Sequence, residues 1–64
     1  MKVKVNDIIL ELHSGAKVQD AIRKFYAQTG QKIPGQMPEV EDRFGNTVDS
    51  DGELSEGSVL NIKG

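Results

Sequence analysis

Cysteine is absent from the 64 residues and histidine occurs once. Without thiols there is no disulfide, no iron–sulfur cluster, no thiolate zinc site, no Cys-x-x-Cys redox pair and no cysteine nucleophile, and one imidazole makes no histidine metal cluster. Aromatic residues are also scarce: Phe25, Tyr26 and Phe44 are the whole set, too few for a stacking platform on single-stranded nucleic acid once Phe25 joins the core. The longest aliphatic run, Ile8-Ile9-Leu10, falls far short of the roughly 20 residues of a membrane-spanning helix. The first residues alternate as Met1-Lys2-Val3-Lys4-Val5 and do not form the apolar stretch of a secretion signal. Neither charge dominates, since 8 Lys and Arg against 10 Asp and Glu leave a formal net charge of −2. That balance argues against a sequence-independent grip on phosphates. The expectation is a cytoplasmic protein with no nucleic-acid partner, no membrane partner and no cofactor.

What is present is ordinary globular composition, 36% apolar and 28% charged, in a chain that buries only about 60% of its unfolded surface. A single domain over residues 1–64 follows. Met1, Val3 and Val5 alternate with Lys2 and Lys4, and Ile8, Leu10 and Leu12 alternate with Ile9, Glu11 and His13, the period of half-buried strands. A tight turn at Asn6-Asp7 would set Val5 against Ile8, Val3 against Leu10 and Met1 against Leu12, leaving Lys2 opposite Glu11 and Lys4 opposite Ile9 on the other face. A slip of one residue would expose the whole apolar stripe.

Beyond Ser14-Gly15 the period changes. Val18, Ala21, Ile22 and Phe25 fall at helical spacing, Asp20 lies in the first turn and within i+4 reach of Lys24, and Gly30 is a natural stop. Ser14 is the best capping residue for the start of this helix. Pro34-Gly35 and Pro38 make Gln31 to Pro38 a loop, whose Ile33 and Met37 are expected to fold onto the edge of the core. Glu39 to Phe44 reads as a weak strand with Val40 and Phe44 on one face and Asp42 interrupting it, which suggests an edge position or a bulge. A short Thr47-Val48 strand, acidic and serine-rich turns and a central strand over Val59-Leu60-Asn61-Ile62-Lys63 complete the chain. The fold class is therefore α+β, a mixed sheet of four to five strands with one helix on one face, in the order ββα(loop)βββ.

Two segments carry a family resemblance: Ser14-Gly15-Ala16-Lys17-Val18-Gln19-Asp20-Ala21-Ile22 and Leu54-Ser55-Glu56-Gly57-Ser58-Val59-Leu60-Asn61-Ile62. Both resemble ubiquitin-like β-grasp domains, in particular the small sulfur-carrier-like and TGS-like members, in how the helix and the last strand are entered. In element order the resemblance covers the whole chain. It implies a β-grasp fold and a protein-interaction role on the open sheet face, where Lys2, Lys4, Ile9, Glu11 and His13 are expected, joined by Val59 or Asn61. It also implies an alternative, a carrier whose Gly64 carboxylate is activated by an adenylating enzyme. The chain departs from that pattern by ending Ile62-Lys63-Gly64 without a second glycine, which is the residue that lets a terminus thread a narrow channel. Lys17 stands where the family usually has Thr.

The remaining polar clusters have plainer readings. His13 has no second histidine or nucleophile placed with it and reads as an exposed side chain. Asp49, Asp51 and Glu53 surround Gly52, but the spacing misses a calcium loop, so they read as a solvated turn. Glu39, Glu41 and Asp42 read as a charged strand edge. No glycine-rich phosphate motif occurs among the seven glycines. The expectation is a non-catalytic interaction module without a metal, acting on another protein or on another domain of the same chain, as the N-terminal domain of a longer protein.

Overall fold

Asn6 and Asp7 take up positive φ of 47° and 68°, as a two-residue hairpin turn matched to the right-handed strand twist requires. The turn joins β1 (Lys2–Val5) to β2 (Ile8–Glu11) in the expected register, with Val5 opposite Ile8, Lys4 opposite Ile9, Val3 opposite Leu10 and Lys2 opposite Glu11. Met1 and Leu12 extend the ladder by exchanging both main-chain bonds, at 2.7 and 2.6 Å. The computed structural model describes residues 1–32 and 35–63. Expectations for Ile33 and Gly64 lie outside the described residues. Met37 is half-buried against the core, as its loop position suggested.

The helix α1 (Val18–Thr29) buries Val18, Ala21, Ile22 and Phe25 against β1 and β2. Gly30 adopts a left-handed conformation, φ 75°. The N–H of Gln31 then reaches Tyr26 O at 3.0 Å and that of Gly30 reaches Ala27 O at 3.4 Å, the paired bonds of a Schellman ending. At the other end Ser14 does not cap. Lys17 occupies the capping position with extended backbone; its N–H donates to Asp20 Oδ2 at 3.0 Å, while the N–H groups of Val18 and Gln19 donate to Gly52 O and Ser50 O at 2.9 and 3.0 Å. Lys24 likewise leaves Asp20 and donates through Nζ to Glu11 O at 2.6 Å.

Downstream lie β3 (Glu39–Asp42), β4 (Thr47–Val48) and β5 (Val59–Lys63), and the five strands form one mixed sheet in the order β2-β1-β5-β3-β4. β5 is central as expected, parallel to β1 and antiparallel to β3. β3 is interior, not an edge, because β4 pairs along its far side. Asp42 does not interrupt it. Its Oδ1 accepts the N–H of Phe44 at 2.9 Å and of Asn46 at 3.0 Å, so the carboxylate closes the turn to β4, and Phe44 sits in that turn, 80% exposed, instead of beside buried Val40. β3 ends at Asp42, so Phe44 is not carried on the strand's inward face. His13 also lies past the end of β2, exposed.

The core is Val3, Val5, Leu10 and Leu12 from the hairpin, the helix stripe, and Ala16, Val40 and Leu60. The two extremes of burial give a paired test by urea denaturation. Leu10→Ala, at a fully buried site, is expected to lower stability by about 2–5 kcal/mol. Phe44→Ala is expected to change it by no more than about 0.5 kcal/mol; a loss comparable to that of Leu10→Ala would place Phe44 in the core after all.

Candidate interaction face

With the helix on one face of the sheet, the other is left open, and strand alternation decides which side chains reach it. Ile9, Lys4 and Val59 form one row across β2, β1 and β5 by register, and Glu11 and Lys2 form the next. Four of the five residues singled out in the sequence, Lys2, Lys4, Ile9 and Glu11, therefore share the open face. His13 is displaced to the connection that follows β2. Asn61, opposite Glu41, lies further along the same face.

Ile9 is 62% exposed, one of two large apolar side chains so displayed among the described residues. It borders a shallow depression of about 240 Å³ whose other walls include Lys2, Lys4, Glu56, Gly57 and Val59. The floor is set by main chain. Lys4 N–H donates to Ser58 O and Gly57 N–H to Lys2 O, both at 2.8 Å, so the turn before β5 runs on as a continuation of the parallel ladder. Gly57 holds φ 83° there, a conformation that glycine adopts without strain.

Side chains complete this ladder at both ends. Glu56 receives the Lys2 N–H on both carboxylate oxygens at 3.2 and 3.1 Å, taking the place of a strand carbonyl. At the other end Asn6 Oδ1 receives the Ile62 N–H at 2.9 Å. Arg43 Nη2 donates to Gly57 O at 2.9 Å, tying the end of β3 to the same turn. A second depression of about 270 Å³ lies across residues 56–59 from the first and is bordered by Arg43, Phe44 and Leu54.

Charge on the open face is unevenly compensated. Glu11 lies 3.6 Å from the Met1 ammonium and Glu41 3.3 Å from Lys63 Nζ, and Glu56 is engaged by the Lys2 N–H. Among the described residues, the Lys2 and Lys4 ammonium groups have no carboxylate within 4.0 Å, so the expected Lys2–Glu11 pair shares a register without closing. The face thus offers an apolar contact bordered by two cations. Asp49, Asp51 and Glu53 are exposed, and no group of three or more His, Cys, Asp or Glu among the described residues is arranged to hold a metal ion. No helix among them is long and apolar enough to cross a membrane.

In the sequence Glu56 and Gly57 stand only as part of the turn entering the last strand, and Arg43 carries no signal of its own. The available signal was the parallel pairing of first and last strands, which sets the turn before β5 against the start of β1. If Glu56 acts as a carbonyl surrogate, Glu56→Gln, which keeps one acceptor, is expected to be near neutral, and Glu56→Ala to cost about 1 kcal/mol. Chemical denaturation of the two variants checks this, and equal losses would mean that the carboxylate charge, not the acceptor, matters. Compared with known proteins, the chain matches no protein-family model, and no curated protein is similar enough to count as a relative.

Proposed function

We propose that this chain is a non-catalytic, ubiquitin-like β-grasp module that docks another protein, or another domain of its own chain, on the open face of its sheet. The β-grasp reading rests on the strand order β2-β1-β5-β3-β4 with a parallel central pair and one helix crossing between hairpin and β3. The resemblance of the segments around Val18 and Val59 to that family supports it. Fold alone does not give function. The observation that carries the docking role is Ile9, exposed beside Val59 at the rim of the depression and flanked by Lys2 and Lys4, whose ammonium groups have no carboxylate within 4.0 Å among the described residues.

Large side chains anchored in a desolvated contact carry much of the energy of an interface. Ile9→Glu is therefore expected to leave the circular dichroism spectrum and urea midpoint unchanged and to weaken partner binding at least about tenfold, since roughly 1.4 kcal/mol suffices for that. The test compares immobilised wild type and variant, quantifying each protein that the wild type retains. A retained set identical for the two forms would remove the open face as the docking surface.

A further inference from the structure

A sheet with open edges exposes unpaired main-chain groups that invite another strand. The two edges here are β2 and β4. β4 is two residues long, too short to template much pairing. β2 is four residues long and continues through Leu12 in ladder geometry.

Which groups β2 presents follows from its pairing with β1. In an antiparallel ladder, hydrogen-bonded and non-hydrogen-bonded pairs alternate. Met1 and Leu12 are a bonded pair, so Lys2–Glu11 and Lys4–Ile9 are non-bonded pairs. The main chain of Lys2 and Lys4 accordingly faces β5, where it bonds Glu56, Gly57 and Ser58. By the same alternation the N–H and C=O of Ile9 and Glu11 point outward, off the sheet. One of those four groups is occupied: Glu11 O accepts from Lys24 Nζ at 2.6 Å. That lysine comes from α1, reaching over the edge from the covered face.

The outward set is self-complementary. A two-fold axis beside Leu10 would place Ile9 of one copy against Glu11 of another and make four main-chain bonds, the isologous arrangement of closed dimers. In each copy the Lys24 amine already occupies one of these positions, the Glu11 carbonyl, and competes there with the incoming N–H.

We infer that the outer edge of β2 is a pairing edge for β2 of a second copy, and that Lys24 is the latch holding it shut. The latch acts through main-chain groups and a helix lysine, so it is separate from the open-face docking surface. Purified chains compared by sedimentation equilibrium over a wide concentration range test it. Wild type and Lys24→Arg, which keeps a donor, are expected to remain at the single-chain mass. Lys24→Ala is expected to move toward twice that mass as concentration rises. Adding Ile9→Pro to Lys24→Ala removes an outward N–H that β1 does not use, a substitution edge strands tolerate, and is expected to restore the single-chain mass. If circular dichroism shows that this double variant is unfolded, Glu11→Pro removes the other outward donor in its place. A monomeric Lys24→Ala at the highest attainable concentration, a dimeric wild type, or a dimer that survives the edge proline would each overturn the proposal.

Discussion

The entry into the helix is the constraint on which the rest of the structure depends. The Lys17 side chain has no acceptor to offer, and Asp20 Oδ2 takes only the Lys17 N–H. A helix start leaves its first N–H groups without intrahelical partners, and here Ser50 and Gly52 supply carbonyls for two of them while the Leu54 N–H returns a bond to Ala16 O at 3.1 Å. Residues 16–18 and 52–54 thereby form a small antiparallel bridge. The same bridge fixes a stretch that has little core of its own. Gly52 sits where a Cβ would lie 3.1 Å from Asp49 O, so a side chain there would have to push that carbonyl back by a few tenths of an ångström. From this anchored loop the chain passes through Leu54 into the turn that carries Glu56 and Gly57, and so into the register of β5. The walls of the open-face depression are, in this sense, set by the first turn of the helix.

Much of this was legible in the sequence wherever a single period governs. The hairpin register followed from alternation over Met1 to Leu12, and the buried helix stripe from the spacing of Val18, Ala21, Ile22 and Phe25. Ile9 could be placed on the open face because alternation leaves it no other side. The misreadings fall where a residue's role depends on a distant partner. Asp42 looked like a break in a strand because a carboxylate is costly between two buried positions, yet it ends the strand and binds two turn N–H groups. β3 looked like an edge because its neighbours are acidic, whereas its position is decided by β5, which brings Lys63 to Glu41. Ser14 is the capping residue nearest in sequence to α1, whereas the acceptors for the Val18 and Gln19 N–H groups are carbonyls far downstream. Glu56 gave no local sign of standing in for a strand carbonyl.

Strand β2 presents two chemically different surfaces from the same few residues. The Ile9 side chain projects from the plane of the sheet, while its amide and carbonyl lie in that plane and point off the edge. A change to a residue other than proline alters the first surface and leaves the second intact, whereas proline at Ile9 removes an outward N–H and the face's side chain together. Lys24 belongs only to the edge. Separation of this kind lets one short strand serve a docking face without becoming a template for uncontrolled pairing.

The parallel pairing of β1 with Val59 and Leu60 also has a kinetic side. β1 has a local partner in β2 but takes its second neighbour from a segment made after every other strand. Closing so long a loop costs entropy before any of its contacts are gained, and topologies rich in such pairings fold more slowly than those built from local ones. On the ribosome, the hairpin and helix segments have therefore been made while the inner side of β1 still lacks its partner. The side of β1 that ends at the centre of the sheet is, during synthesis, an exposed edge, and it is the arrival of β5 that removes it.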